Sequence, residues 1–464
     1  MCEYEVYIYK VTATGDVLVW SGEQRRRTGS LVENHDDWCT IYCYDWLYAL
    51  KDRYTAESVI YKDYDNVELL PNQSFSIPEA IGTVPFDDES KILLDDTNYA
   101  SVTIASSEKT TYLIDAHYYD FEIPADATIR GIEVTVKQYR EKQQPTGYAK
   151  DIKVFINKTL NYSPILNLAT NADLPSTDTE MIYGSDTNLW GLTLTPTEVN
   201  NQLIVFLQYV GVDVILNINC VYIKVYYSVG NVIKVTDSGA IAWDLIETSQ
   251  LKTNGDLGIT EGTIATTQDR TRTYNNQNIM EAIINLSDVI NGFDFEITDD
   301  KVFNVYTVKG DDLTDSLILE YGRNLQSVSI DEDFTTPCNN AIVLGEVIDG
   351  TELTRVDRPD TTTQAKYKLR EMVLSADNVI DENTLNAKGD AMLYKYKEPL
   401  IKVTFEVMRG KVDITQFSLG DLIRLIIKKG CYNIDSTYRI FEWTVDHEND
   451  NTEKLSLILG ELGI

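Results

Sequence analysis

The chain has 464 residues, with 40 Lys and Arg against 73 Asp and Glu, so its formal net charge is −33. Its 43% hydrophobic and 24% charged residues are typical of a globular chain long enough for about two to four domains. The negative charge excludes generic nucleic-acid binding, which needs a basic patch, and argues against docking on anionic membranes.

Residues 1–72 are predicted to form a β-meander, the N-terminal part of a β domain. The first ten residues alternate with period two and carry acids where a signal peptide carries basic residues. Thr14-Gly15-Asp16 is predicted to be a turn between two strands, and a short helical turn is expected at Leu47 to Arg53. No run of about 18 apolar residues occurs, so no stable membrane insertion is expected.

Residues 73–229 have short strand patterns, frequent turns and no amphipathic helix, which predicts an antiparallel β-sandwich. The segments richest in β-branched and aromatic residues are predicted strands: 111–115, 131–139, 150–157, 203–210 and 214–227.

Residues 230–464 mix helices and strands. Ile279, Ala282, Ile283, Leu286 and Val289 recur at helical spacing before Gly292, which predicts a helix. A strand pair at 293–297 and 302–306, a second helix at 382–397 and strands at 401–408, 422–428, 438–445 and 454–459 are also predicted.

The fold class predicted from these patterns is mainly β with a few helices (α+β). Because residues 73–229 fill the long connection between the first and third regions, they are predicted to be a domain inserted into a surface loop of another domain. The three predicted parts are therefore 1–72, 73–229 and 230–464.

Metal and disulfide chemistry is not expected. His35, Cys39 and Cys43 have a suggestive spacing, but the two cysteines on one strand would lie about 13 Å apart, too far for a single zinc with ligands at about 2.3 Å. The six cysteines fit no disulfide framework, so they are interpreted as small apolar residues of a chain made in a reducing cytosol.

Catalytic residues are not identified either, and no cofactor is expected. The acid pairs Asp36-Asp37, Asp87-Asp88, Asp95-Asp96, Asp299-Asp300 and Asp311-Asp312 fall where turns are predicted, whereas glycoside hydrolysis needs two carboxylates facing each other across a cleft. The serines and histidines lack a nucleophile elbow or a triad context, and there is no phosphate loop. The sequence therefore predicts a protein that is not an enzyme.

One loop is a candidate ligand site. The segment from Tyr183 to Gly191 is flanked by glycines and has an aromatic residue near each end, Tyr183 and Trp190, with Asp186 between them. Aromatic faces in such a loop can stack on sugars, and they can equally close the end of the sandwich as part of its core. Tyr183, Asp186 and Trp190 are the ligand-contacting candidates under the first interpretation.

Two parts of the chain resemble known families. Residues 270–464 resemble the C-terminal part of siphophage minor tail proteins of the baseplate-hub (tail-tip hub) kind. The blocks that carry this resemblance are 275–283, 291–295, 318–325, Cys338 to Gly345, Tyr367 to Glu371, Ser418 to Ile423 and Tyr438 to Ile440. Residues 95–100, 121–124, 127–132 and 189–192 resemble a β-sandwich found within phage structural proteins.

The resemblance implies hub-type β-barrel domains, here interrupted by the inserted sandwich, and a structural role in the virion at the phage tail tip, after assembly in the host cytoplasm. It implies a homotrimer that joins the distal tail protein to tip or fibre proteins and contacts the tape-measure protein. The sandwich would face neighbours or the host surface. Two alternatives stay open: an adhesin whose sandwich binds a host surface glycan, and a tip enzyme that degrades the cell wall.

Overall fold

Strands dominate the computed structural model, as the period-two alternation of the sequence predicts, and the class of mainly β with a few helices is confirmed. The structure describes residues 5–12, 15–30, 38–77, 82–287, 291–333, 338–348, 352–375, 382–397, 400–408, 410–430, 432–448 and 452–461. Among these residues, no helix is long and apolar enough to cross a membrane.

The elements of the first half follow in chain order. They are β1 (Glu5–Thr12), β2 (Gly15–Ser30), β3 (Trp38–Tyr44), a 3-10 helix (Trp46–Asp52), β4 (Val59–Tyr61), β5 (Asp65–Leu69), β6 (Gln73–Ile77), a second 3-10 helix (Glu89–Leu93), β7 (Ala100–Ile104), β8 (Lys109–Thr110), β9 (Leu113–His117), β10 (Thr128–Lys142), β11 (Tyr148–Asn157), β12 (Thr179–Ser185), α1 (Pro196–Gln202), β13 (Ile204–Val212), β14 (Val214–Ser228) and β15 (Asn231–Ile233).

Helices and strands mix in the second half. Its elements are α2 (Ser238–Gln250), β16 (Thr260–Ile264), β17 (Arg272–Tyr274), α3 (Ile279–Ser287), β18 (Asp294–Ile297), β19 (Val302–Tyr306), β20 (Ile318–Glu320), β21 (Leu325–Asp333), β22 (Asn340–Ile348), β23 (Glu352–Pro359), α4 (Thr361–Tyr367), β24 (Glu371–Ser375), α5 (Glu382–Tyr396), β25 (Leu400–Val407), a third 3-10 helix (Ile414–Gln416), β26 (Leu422–Lys429), β27 (Tyr432–Glu448) and β28 (Thr452–Glu461).

The chain divides into two compact units. One contains Met1–Thr55, Asp237–Asp269 and Asn276–Ile464, and is called the discontinuous unit below. The other contains Ala56–Thr236 and Arg270–Asn275, and is called the two-sheet domain. This domain starts earlier than the predicted sandwich, because β5 pairs with β14. The division into an inserted module and two flanking hub parts stays a proposal.

The two-sheet domain has two five-stranded antiparallel sheets. One has the order β12-β10-β14-β5 with β7 also paired to β14, and the other has the order β11-β13-β9-β6 with β8 also paired to β13. Their apolar side chains form one buried core that contains Ile132 and Val134 of β10, Val221 of β14, and Phe155 and Phe206 of β11 and β13. A small sheet, β15-β4-β17, completes the domain.

The discontinuous unit contains four further sheets. Their strand orders are β1-β2-β3, β16-β19-β18, β23-β22-β24 and β20-β26-β27-β28-β25-β21. The six-stranded sheet has its own core, which includes Leu319, Leu425, Phe405 and Leu457. Its two edge strands, β20 and β21, follow each other in the chain and meet at a bridge between Tyr321 and Leu325. The predicted strands at 401–408, 422–428, 438–445 and 454–459 correspond to β25, β26, β27 and β28 of this sheet.

The secondary structure confirms many local predictions and corrects others. The predicted helices at 279–289 and 382–397 correspond to α3 and α5, and the expected helical turn after residue 46 is the first 3-10 helix. No amphipathic helix was predicted in residues 73–229, and the structure has a short α-helix there, α1, which begins with a capping box. α2 and the strands β21 to β24 were not predicted.

The start of α1 makes a pH-dependent contribution to stability. Glu198 accepts hydrogen bonds from Lys158 Nζ at 2.8 Å and from the Thr195 backbone N–H at 2.9 Å, and these lower its pKa from 4.5 to about 2. A lowered pKa in the folded state stabilises the protein above pH 4.5 and loses this effect as the pH falls towards 2. We expect Glu198→Gln to reduce thermal stability at pH 6 and to leave it unchanged near pH 2. An equal deficit at both pH values, measured by thermal unfolding, would contradict this.

Candidate assembly interface and predicted ligand loop

The loop predicted to contact a ligand lies in the two-sheet domain, and two of its three candidate residues are buried. Trp190 is fully buried, and its Nε1 donates a hydrogen bond to the carbonyl oxygen of Ile132 at 2.9 Å. Gly184 has a φ of +90°, and a Cβ there would lie 2.3 Å from the same carbonyl oxygen, so only glycine allows this approach. The Trp190 ring is therefore part of the core.

Tyr183 belongs to a buried polar network. Its hydroxyl donates to Asp151 Oδ2 at 2.9 Å, and Gln138 Nε2 donates to the same hydroxyl at 3.3 Å. Asp151 also accepts hydrogen bonds from the backbone N–H groups of Thr170 and Asn171. Burial, followed by the nearby Asp151 charge, raises the pKa of Tyr183 well above 10. The hydroxyl thus serves to satisfy a buried carboxylate.

Asp186 is the third candidate, and it forms an ion pair with Lys234. The structure therefore places Tyr183 and Trp190 as core residues, which corresponds to the packing interpretation, and neither ring offers a free face to a sugar. Sequence reasoning could not choose between the two interpretations, because the partner carbonyl of Ile132 lies 58 residues away in the chain.

The acid pairs that the structure describes act at turns. Asp88 accepts the N–H of Ser90, Asp96 accepts that of Asn98 and Asp312 accepts that of Thr314. Asp299 accepts the N–H of Ser21 at 2.6 Å. Within the described ranges, no group of three or more His, Cys, Asp or Glu side chains is placed to hold a metal ion. His35 of the suggestive zinc spacing lies outside the described residues, as do Asp36 and Asp37.

The sheet β1-β2-β3 carries the most unusual surface of the discontinuous unit. Strand alternation and the register Glu5↔Glu23↔Tyr44 place four tyrosines on one face: Tyr7, Tyr9, Tyr42 and Tyr44. The opposite face carries Ile8, Val17 and Ile41, which are 49%, 40% and 52% exposed. A sheet in water normally keeps one face polar, so a sheet that exposes large aromatic or aliphatic side chains on both faces indicates a surface that is covered in an assembly.

One end of this sheet is held firmly. The Ser21 hydroxyl donates to the carbonyl oxygen of Asp299 at 2.7 Å and accepts from Trp46 Nε1 at 2.7 Å. Lys301 lies over the Trp46 ring at 4.1 Å and pairs with Glu5 at 2.6 Å. The exposed apolar residues are therefore presented by an anchored sheet rather than by a loose hairpin. We call the residues Tyr7, Ile8, Tyr9, Val17, Ile41, Tyr42 and Tyr44 the exposed sheet surface.

The blocks that carry the family resemblance have structural roles. Asn324 links the end of β20 to its turn, because its side chain accepts the N–H of Glu320 at 2.7 Å and donates to the carbonyl of Ile318 at 2.8 Å. Buried Asn339 acts in the same way between β22 and the start of β24, through Arg370 N–H and the Lys368 carbonyl.

The block 418–423 is fixed by one buried carboxylate. Asp421 accepts the backbone N–H of Ser418 at 2.7 Å and that of Asp311 at 2.8 Å. Nearby, Arg439 donates to the carbonyl oxygens of Gly420 at 3.1 Å and Lys309 at 2.8 Å and forms an ion pair with Asp294. The polar residues of these blocks thus hold loops in place, and the sequence alone did not reveal this function.

The comparison with family models shows that the C-terminal region is similar to a phage tail family. The family whose model matches, over residues 313–460, is described as "Prophage endopeptidase tail". This match confirms the resemblance to phage tail proteins and agrees with a location in the tail of a virion. A comparison with curated proteins found no match.

Solved structures similar to this chain include three bacterial prophage and tail proteins. The 43 kDa tail protein of prophage MuSo2 from Shewanella oneidensis has 10% identity and a TM-score of 0.38, over 72% of this chain and 93% of that one. A tail protein of Neisseria meningitidis MC58 has 10% identity and a TM-score of 0.37, over 73% and 97%. Prophage tail protein gp18 of Listeria monocytogenes EGD-e has 12% identity and a TM-score of 0.32, over 71% and 95%.

Proposed function

We propose that this protein is a structural hub of a phage tail tip, which forms a homotrimer and joins the distal tail protein to tip or fibre proteins, with the tape-measure protein as a further partner. The observation that carries the proposal is the exposed sheet surface, which presents tyrosines on one face and aliphatic side chains on the other and is anchored at one end. Copies of the same chain around a threefold axis would cover it. The family match over residues 313–460 supports a role in a tail.

The proposed role is not catalytic, although the family description contains the word endopeptidase. Support comes from the polar residues of the matched segment, since the side chains of Asn324, Asn339 and Asp421 form hydrogen bonds with backbone groups. In the same proposal, the two-sheet domain projects outward and contacts neighbouring proteins or the host surface. Release of fragments from host cell wall or from a protein substrate by the purified chain would contradict the structural role.

The assembly can be tested by light scattering on the purified full chain. We expect a native mass near three times 52.6 kDa for the unchanged protein. The double variant Ile8→Asp/Ile41→Asp places two charges on the aliphatic face of the exposed sheet surface, and burying unpaired charges in an interface is strongly unfavourable. We expect the concentration at which the trimer dissociates to rise by about 100-fold, which corresponds to loss of a hot spot.

A matched control distinguishes the effect of an added surface charge from the effect of a charge placed in the interface. Leu251 is 80% exposed at the end of α2, so Leu251→Asp should keep the mass of the unchanged protein. A monomer that remains monomeric in the presence of its neighbouring tail proteins would overturn the hub, and a trimer unaffected by the double variant would show that the exposed sheet surface is not its interface.

A further inference from the structure

Three aromatic rings adjoin each other on the two-sheet domain, away from the loop that the sequence singled out. Phe75 and Tyr118 are 52% and 54% exposed, and the ring of His117 lies between them. The His117 ring stacks on Phe75 with centroids 5.2 Å apart and planes at 20°, and it meets Tyr118 at 4.4 Å and 69°. Phe75 and Tyr118 thus pack against the His117 ring and remain exposed to water.

Strand pairing fixes this arrangement. β6 and β9 pair in the register Gln73↔His117 and Phe75↔Asp115, so all four side chains lie on one face of the pair. The Phe75 N–H donates to Asp115 Oδ1 at 3.0 Å, and His117 Nδ1 lies 3.5 Å from the same oxygen. Asp115 and His117 are both buried. The base of the aromatic surface is therefore rigid.

The backbone at the exposed residue Tyr118 is strained. Its φ is +60°, a region that a bulky L-residue adopts at a cost of about 1–2 kcal/mol. The next residue, Tyr119, turns back into the core and stacks on Phe121 at 5.7 Å. The strain is not offset by burial of the Tyr118 ring, since that ring is exposed. A strained residue whose ring is exposed motivates a binding hypothesis.

Polar side chains lie beside the two exposed rings in the chain. The Asn72 side chain donates to Asp120 Oδ2 at 2.7 Å, and the Asn72 N–H donates to the Tyr118 carbonyl at 3.1 Å. Asn72, Gln73 and Asp120 are all exposed. Amide and carboxylate groups beside an aromatic ring can hydrogen-bond to hydroxyls whose carbon skeleton rests on the ring.

We propose that Phe75 and Tyr118 form a binding site for a neutral hexose unit of a polysaccharide. A pyranose offers a face of C–H bonds, which suits the electron-rich face of an aromatic ring, and a rim of hydroxyls that Asn72, Gln73 and Asp120 can reach. This inference rests on the proposed outward contact of the two-sheet domain, and it assigns that contact to residues different from Tyr183 and Trp190.

A protein strand added to β6 is the competing occupant, and the surroundings disfavour it. The 3-10 helix Glu89–Leu93 is tied to β6 by a hydrogen bond from the Ser74 hydroxyl to the Glu89 carbonyl at 2.8 Å. Two exposed rings with a few polar neighbours are also small compared with the roughly 800 Å² per partner that a stable protein interface buries. A single sugar unit matches the size of the site better.

The proposal is tested with the full chain by native gel electrophoresis in gels that contain dextran, mannan or galactomannan. We expect at least one polysaccharide to slow the unchanged protein, and Phe75→Ala to raise the polysaccharide concentration for half-maximal retardation at least tenfold. The control Ile182→Ala removes an equally exposed apolar side chain from β12, on the other sheet, and should behave as the unchanged protein.

Tyr118→Gly gives a readout that a merely structural role would not produce. Glycine adopts positive φ without strain, so the variant should unfold at the same temperature as the unchanged protein or higher, while losing polysaccharide binding at least tenfold. Retardation by none of the three polysaccharides, or retardation unchanged in both aromatic variants, would overturn the proposal.

The same variants distinguish this site from the hub. Phe75→Ala should retain the trimeric mass, since it lies in the two-sheet domain and not on the exposed sheet surface. Phe75→Ala could instead lose binding to a neighbouring tail protein and still be slowed by polysaccharide. That result would identify the rings as a protein contact and reject the sugar site. A monomeric protein that still binds polysaccharide would reject the hub alone.

Discussion

Replacing Trp190 by alanine is expected to lower the free energy of unfolding of the two-sheet domain by about 3–5 kcal/mol, the usual cost of removing a large buried aromatic side chain. Trp190 is fully buried, so the variant leaves a cavity next to β10. It also removes the indole N–H that satisfies the Ile132 carbonyl, and a buried carbonyl without a partner adds to the cost. The left-handed backbone at Trp190, with φ +57°, remains strained in the variant.

The loss can be measured in the full chain by hydrogen exchange of β10 and β12, and as a fall of about 10 °C in the thermal transition of this domain. Ile182→Ala is the matched control, since Ile182 lies on β12, eight residues before Trp190 in the chain, and is 62% exposed. Normal protection of both strands in Trp190→Ala would contradict the core role. Loss of sugar binding in that variant would carry no information about a ligand, because the domain itself is destabilised.

Replacing Asp421 by alanine is expected to destabilise the six-stranded sheet by about 2–4 kcal/mol. The carboxylate is buried and accepts the N–H groups of Ser418 and Asp311. Each buried N–H that loses its acceptor costs about 1–3 kcal/mol. Asp421→Asn keeps one acceptor oxygen, so its loss of stability should be smaller than that of the alanine variant.

Hydrogen exchange of β26 and β27 measures this effect. β26 begins directly after Asp421, and β27 pairs with β26. Asp446→Ala is the control, since Asp446 is an exposed aspartate on β27. The structural interpretation of the block 418–423 would be wrong if Asp421→Ala were as stable as Asp446→Ala. It would also be wrong if the unchanged protein degraded host cell wall and Asp421→Ala, at full stability, did not.

The strands that the sequence predicted best are the long ones in which apolar and β-branched residues persist. The predicted segments 131–139 and 214–227 lie within β10 and β14, and 150–157 lies within β11. These strands are central in their sheets or paired over most of their length, so they bury many of their apolar side chains. The signal is local and strong, which is why periodicity found them.

Other elements were missed although the sequence carried their signals. α2 begins at Asp237, whose side chain accepts the N–H of Ala240, and buries Ile241, Ala242, Leu245 and Ile246. This is an N-cap followed by helical spacing, and it could have been recognised. β5 lies before the predicted boundary at residue 72, although it pairs with β14 beyond that boundary. Its pairing with β14 joins residues far apart in the chain, and no local pattern specifies such a partner.

The sequence by itself determined the strand-rich class, the turn positions of the described acid pairs, and the resemblance of the C-terminal segment to phage tail proteins, because each depends on a few neighbouring residues. Tertiary structure alone decided which aromatic residues are buried. Trp190 reaches the Ile132 carbonyl and is enclosed, whereas Phe75 and Tyr118 are exposed beside His117. The side to which a strand turns its residues depends on long-range pairing, which periodicity does not encode.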